Sequence, residues 1–162
     1  MEMETEGVAV EIPPECNVII GQSHFIKTAE DLYEAMVSSS PSAKFGIAFC
    51  EASGPRLVRV EGNDEELKRV AAENAMRIGA GHIFVVLLKN AYPVNVLGAI
   101  KAVPEVCSIF CATANELQVI VAANGNGRGV VGVIDGKSPM GVENDANVKE
   151  RREFLRKIGY KH

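Results

Sequence analysis

The sequence predicts a single compact α/β or α+β domain, residues 1–162, built on a mixed β-sheet with about four helices. Three observations carry that prediction. The length of 162 residues suits one domain and is short for two. Apolar residues make up 47% and charged residues 23%, close to the globular average, so the chain can bury a real core. Short β-branched runs and stretches of helical periodicity then follow one another in irregular order, without the steady strand–helix–strand alternation of a doubly wound sheet.

Val8–Ile12 and Asn17–Ile20 read as short strands, parted by Pro13-Pro14, which cannot donate to a ladder. Thr28-Ala29-Glu30-Asp31 is a helix start signal, and Ala29, Leu32, Tyr33, Met36 and Val37 follow at one-face spacing. That helix ends by Ser38–Ser40, before Pro41. Lys44–Glu51 and Leu57–Val60 form a hairpin around Ser53-Gly54-Pro55. Asn63 or Asp64 caps a second helix with the stripe Leu67, Val70, Ala71, Ala75, Ile78, which Gly79-Ala80-Gly81 stops. Asn74 falls on its apolar face, where a buried amide must find partners or cost about 1–3 kcal/mol.

His82–Leu88 is the uninterrupted apolar run of a central strand covered on both faces. Pro93 opens a short third helix that closes near Val103-Pro104. Cys107–Thr113, Leu117–Ala123 and Gly129–Ile134 are strands. A last helix spans Asn147–Ile158, with Val148, Leu155 and Ile158 turned inward and its basic residues concentrated toward the C-terminus.

Composition excludes several classes of function. A net charge of −4 with no basic run argues against a nucleic-acid partner, because phosphate contacts need clustered cations. The first twelve residues hold four glutamates and no cation, unlike a signal peptide. Ile83–Leu88, the longest strongly apolar run, falls far below the roughly 20 residues a bilayer requires, so a membrane is not expected either. Cys16, Cys50, Cys107 and Cys111 lack CxxC spacing and read as free thiols, which points to the reducing cytoplasm.

Two glycine motifs fail on context. Gly136-Lys137-Ser138 resembles the end of a P-loop, but position 131 is Val where that motif needs glycine, and Pro139 follows where a helix must begin. Gly127-Arg128-Gly129-Val130-Val131-Gly132-Val133 fits a glycine-rich nucleotide flap by spacing, yet no helix follows it and no other protein-kinase signature exists. What survives is physical: a glycine turn lets backbone N–H groups approach an anion, and Arg128 can add a bidentate phosphate contact. A plain hairpin turn accounts for the glycines equally well.

His24 and His82 each follow glycine-containing backbone. His24, with Lys27 on the same loop, precedes a helix N-terminus, a setting that favours anions. His82 opens the central strand, where an imidazole can meet a cleft and either attack phosphorus or accept a hydroxyl proton. Glu51 and Asp135 sit where apolar strands run out, as candidate bases or magnesium ligands. Structural roles, satisfied core histidines and turn-capping carboxylates, stand beside each of these readings.

The segments GQSHFIK (21–27), FGIAFCEASG (45–54), GAGH (79–82), CATAN (111–115) and GRGVVGVIDG (127–136) together resemble the small adenosine-specific kinase family, almost from end to end. That family is distinct from the sugar-kinase-like adenosine kinases. The resemblance implies an enzyme that binds adenosine and adenine nucleotides, carries a phosphorylated histidine and assembles as a homo-oligomer, a trimer. His82 is the favoured phosphohistidine. Around it the expected anion cradle comprises His24, Gly21, Gln22, Ser23, Lys27, Gly81, Gly127, Arg128 and Gly129. Asp135 or Glu51 would hold magnesium or activate the adenosine 5′-hydroxyl during phosphoryl transfer from a nucleotide. Two rival readings remain: a nucleotide-sensing module without turnover, and a metal or redox protein using the histidines and cysteines, which lack close ligand spacing.

Overall fold

The strands divide between two sheets. In a computed structural model, which describes residues 2–162, β1 (Glu4–Ala9), β2 (Asn17–Ser23), β3 (Lys44–Cys50), β4 (Val58–Gly62), β5 (Ile83–Lys89), β6 (Val106–Thr113), β7 (Leu117–Ala123) and β8 (Arg128–Asp135) are joined by four helices. These are α1 (Thr28–Ser39), α2 (Glu65–Ile78), α3 (Pro93–Lys101) and α4 (Asp145–Lys157). A five-stranded sheet has the order β4-β3-β5-β2-β6, and a three-stranded sheet the order β1-β7-β8. Every pairing is antiparallel. The α+β class with four helices therefore holds, while the one mixed sheet becomes two antiparallel ones.

The expected central strand is β5, and alternation along it explains why both faces are apolar. Val85 and Leu87 point to one side, with Val18, Ile20 and Ala48, into a core shared by α2 and the small sheet through Val70, Ala71, Ala75, Val119 and Val121. Phe84, Val86 and Leu88 point to the other, with Ile19, Phe45, Ile47 and Phe49, against Leu32 and Met36 of α1 and Val96 and Ile100 of α3. The large sheet is thus sandwiched, and a strand buried on both faces has no polar positions to alternate with.

Local chemistry sets the helix limits. The Asp64 side chain accepts from Leu67 N at 3.0 Å, and Gly79 closes α2 at φ 62° in the left-handed region that glycine enters freely. Asn74 is buried, and its amide both accepts from Glu11 N (2.9 Å) and donates to Glu11 O (2.8 Å), tying α2 to the segment between β1 and β2. Gly46 lets β3 lie directly under α2: a Cβ there would stand 2.2 Å from Leu67 C.

Several expectations change. Strand β1 begins at Glu4, ahead of the anticipated Val8, because Glu4–Gly7 pair with β7. Strands β6 and β7, consecutive in the chain, enter different sheets, which the sequence left open. The inward face expected of α4 does not exist: no residue of that helix is buried, and Ile158 remains 46% exposed. Its stripe of apolar residues is real but stays at the surface.

Candidate functional site

Antiparallel order brings alternate strand ends together. One end of the large sheet collects the C-termini of β2 and β3 and the N-termini of β4, β5 and β6, so that Ser23 faces Val106, Gln22 faces Ile83 and Cys50 faces Val58. Both motif histidines lie at this end. His82 N donates to Cys50 O (2.8 Å), and Ser23 N, one residue before His24, donates to His82 O (3.0 Å). His24 N in turn donates to Glu105 O at 3.2 Å. Two remote sequence blocks, GQSHFIK and GAGH, are in this way laced to each other through main chain.

His82 is the strained member. Its φ of 65° lies in the left-handed region, which costs a residue with a side chain about 1 kcal/mol or more. The conformation persists because both its backbone groups are bonded and its ring stacks on Phe49, with centroids 5.9 Å apart and planes at 21°. The side chain is half-buried, whereas His24 is exposed beside Phe25.

Gly81, one residue before His82, lines a cavity of about 510 Å³ whose other walls include Glu51, Arg56, Met76, Gly127 and Arg128, whereas the His82 ring itself turns to Phe49 on the other face of the sheet. The cavity sits where the C-terminus of α2 meets the first residues of β8. A Cβ at Gly81 would stand 2.9 Å from Ala52 Cβ, so glycine there keeps the two walls close. The Arg128 guanidinium caps α2: Nε donates to Ile78 O (2.8 Å) and Nη2 to Arg77 O (3.2 Å), complementing the negative helix end. Nη2 also meets Glu6 of β1 at 3.1 Å.

The carboxylate of Glu51 is engaged as well. Leu57 N donates to its Oε2 at 2.9 Å, and Arg59 Nη2 lies 3.2 Å from both oxygens. The Leu57 amide first, then Arg59, holds this carboxyl below the usual glutamate range. Glu51 is therefore a clamp on the 52–56 turn and is poorly placed to act as a base.

Other members of the expected cradle have different work. Lys27 is bonded to Asp31 and stands 3.3 Å from Glu105, which is only 2% exposed. Asp31 above all, then Glu105, holds the ammonium charged, and the lysine correspondingly lowers the Asp31 carboxyl. The α1 N-terminus is also occupied, with Thr28 N and Ala29 N donating to Phe25 O and Ile26 O. Thr28 supplies no side-chain cap; its hydroxyl meets Ser23 Oγ at 2.7 Å, removing the Ser23 hydroxyl from any ligand. Gly21 lies inside the sheet, where a Cβ would come within 2.4 Å of Phe84 Cζ. Gln22 is exposed on β2, and Gly127 and Gly129 have open space around them.

Asp135 is not part of this constellation. It ends β8, seven residues from Arg128 and hence about 23 Å away along an extended strand. There it accepts from Thr113 Oγ1 (2.7 Å) and Asn115 Nδ2 (3.1 Å), at the opposite end of the large sheet. Glu51 and Asp135 cannot share a metal ion, and among the described residues no three His, Cys, Asp or Glu side chains gather to hold one. One cavity residue escaped the sequence reading altogether. Arg56, at φ 53°, enters the cavity and joins no ion pair among the described residues. Its only signal was a cation directly after the Gly54-Pro55 turn.

A glycine-walled cavity bearing two arginines thus lies one residue from a half-buried histidine whose backbone is locked at both groups. The chain belongs to the family described as adenosine specific kinase, whose model matches residues 8–161. The crystal structure of the PH1918 protein from Pyrococcus horikoshii OT3 is 51% identical in sequence, with 99% of each chain covered and a TM-score of 0.96. No curated protein matches the sequence. No helix among the described residues is long and apolar enough to cross a membrane.

Proposed function

We propose that this chain phosphorylates adenosine on its 5′-hydroxyl, using a nucleotide as donor and His82 as a transient phosphoryl carrier, and that it does so as a cytoplasmic homo-oligomer. The observation that carries the reading is His82, held in a strained conformation next to Gly81, a lining residue of the Arg56–Arg128 cavity. Strain of this kind persists where surrounding bonds over-determine it, and it concentrates at working sites. Membership of the family supports the adenosine and kinase parts of the reading.

In this scheme an imidazole nitrogen of His82 attacks the terminal phosphorus of the donor. An N–P bond forms, the bridging P–O bond breaks and the nucleoside diphosphate leaves with that oxygen's electron pair. The adenosine 5′-oxygen then attacks the phosphorus, the N–P bond breaks, and the hydroxyl proton passes to His24, giving AMP. Arg56, together with the unspent face of Arg128, offsets the charge on the phosphoryl oxygens. Glu51 and Asp135 are engaged by Arg59, Thr113 and Asn115, so a magnesium ion would be held chiefly by the nucleotide's own phosphates and would offset their charge.

Incubation with labelled ATP and adenosine tests the scheme. Expected are labelled AMP and a phosphate mapped to His82 by mass spectrometry, both lost in His82→Ala. Absence of AMP from the wild type above that variant rejects the kinase reading. A nucleotide-sensing role without turnover is the second reading, favoured by the engagement of Lys27 and Arg128 in ion pairs; it predicts saturable adenine-nucleotide binding and no AMP.

A further inference from the structure

Among the described residues Glu105 is the only buried acid, 2% exposed, and neither of its carboxylate oxygens accepts a hydrogen bond. Taking a carboxylate out of water is costly unless its charge and its lone pairs are met, so an orphan of this kind calls for a partner. The counter-charge present is the Lys27 ammonium, whose Nζ stands 3.3 Å from Oε2; Oε1 has no partner at all. The same ammonium is bonded to Asp31, four residues further on and in the first turn of α1. The chain thus already holds a cation between two carboxylates.

The charges there do not balance: two carboxylates share one ammonium, a net of −1. A divalent ion would match the pair, and the lysine is able to give way, because its side chain is 47% exposed against 2% for Glu105. The donors on offer are oxygens, the ligand set of hard cations, and magnesium in particular is held by one or two carboxylates while waters and phosphate oxygens fill its other positions. A cleft of about 370 Å³ between α1 and the end of α3, lined by Asp31, Glu34, Ser38, Val103 and Pro104, reaches one carboxylate directly and the other through the residue before it.

The fold puts this pair at the histidine end of the large sheet. Glu105 O accepts from His24 N (3.2 Å), Val106 pairs with Ser23, and Ser23 N donates to His82 O (3.0 Å). Glu105 is therefore one main-chain bond from the first histidine, and the residue after it lies opposite the one that holds the second. Glu51 and Asp135, the acids that stood out in the sequence, are spent on Arg59, Thr113 and Asn115, whereas Asp31 and Glu105 are spent only on a side chain that can leave.

We propose that Asp31 and Glu105 form a binding site for a hard divalent cation of the magnesium type, and that the Lys27 ammonium is a tethered stand-in which moves out when the ion enters. Entry of the ion satisfies the buried carboxylate and releases Lys27 to face an anion. That the ion then serves a donor's phosphates rests on the functional reading above; its binding does not.

Manganese alone, added to the isotopically labelled full chain, tests the site through the paramagnetic broadening of amide signals. Substoichiometric manganese should broaden the amides of residues 27–31 and 103–106 first, and excess magnesium should restore them. Asp31→Asn and Glu105→Gln should each weaken this local binding by at least ~10-fold, since each removes a unit charge next to the ion, while Lys27→Gln should tighten it by at least ~10-fold by removing the competing charge. Asp31 is a helix-surface position, so its variant decides the matter even where Glu105→Gln fails to fold. The proposal is overturned by a wild type in which these two segments are not broadened selectively, by broadening that survives Asp31→Asn or a folded Glu105→Gln, or by a Lys27→Gln protein that binds no more tightly than the wild type. AMP formation is scored apart: an ion bound without turnover refutes only the kinase reading, and turnover with no ion at Asp31 and Glu105 refutes only this one.

Discussion

Replacing His82 by glycine and by alanine separates backbone strain from ring chemistry. In ordinary structure glycine is the worse of the two by about 0.5–1 kcal/mol, because the unfolded chain gains freedom. At φ 65° the order should invert: alanine keeps the left-handed penalty of about 1 kcal/mol or more that histidine already bears, whereas glycine escapes it. Both variants lose the ring that stacks on Phe49, so that contribution cancels between them. Set against glycine's entropy cost, His82→Gly is therefore expected to be more stable than His82→Ala by about 0.5 kcal/mol, a difference of about 1–2 °C in Tm for a domain of this size. Urea titration followed by circular dichroism, with matched m-values, measures it. Neither variant should form AMP or take up phosphate. Alanine the more stable by the ordinary margin of about 0.5–1 kcal/mol would show that the backbone at this position carries no strain, and the case for a poised imidazole would fail with it.

Arg128→Ala removes the bonds to Ile78 O, Arg77 O and Glu6 and should cost about 1–2 kcal/mol, with exchange in the last turn of α2 accelerating first; an unchanged last turn would refute the capping role. Gly46→Ala forces a methyl to within 2.2 Å of α2 backbone and should cost more than about 3 kcal/mol or abolish folding, read as a lost or sharply lowered melting transition. Burial pushes the thiols of Cys50 and Cys111 up to about 11 and raises that of Cys16, so native protein at pH 8 should react with a thiol reagent only at Cys107, and at all four sites in urea. The sign follows from the same shifts: the folded state holds these protons more tightly than the unfolded chain, so stability falls as pH rises from about 9 toward 11. A flat profile across that window would contradict the buried placement.

How much could be read in advance depended on whether a feature was local. The stripe of α2, its Asp64 cap and its Gly79 stop are encoded within sixteen consecutive positions, and they came out as written. So did β5, because only a strand covered on both sides can be apolar throughout. The parting of β6 from β7 was hidden, since alternation tells which face a residue takes but not which sheet its strand joins. An amphipathic arc on α4 shows that a face wants cover and is silent on whose surface supplies it.

The site divides along the same line. Glycine-flanked His24 and His82 stood out in the sequence, and main-chain bonds do bring their segments together. Competition for the charged groups could not be seen: Lys27 is claimed by Asp31 and Glu105, Glu51 by Arg59, and Arg128 by the end of a helix fifty residues earlier. Asp31 is a local partner four residues on, but Glu105, Arg59 and the end of α2 lie on other elements, and only the fold reveals them. Asp135 and Arg128 share one motif block, 127–136, but an extended strand carries its two ends to opposite poles.

The cavity that Gly81 lines belongs to neither sheet alone. Its floor is cut from the large sheet and α2, while one wall is the turn that opens β8, pinned across the gap by a single guanidinium. Its width is consequently set by the tilt of one layer on the other. A ligand that grips both sides would act as a wedge or a staple between them, so filling the cavity should stiffen the joint of the whole molecule and not merely the loops that touch the ligand.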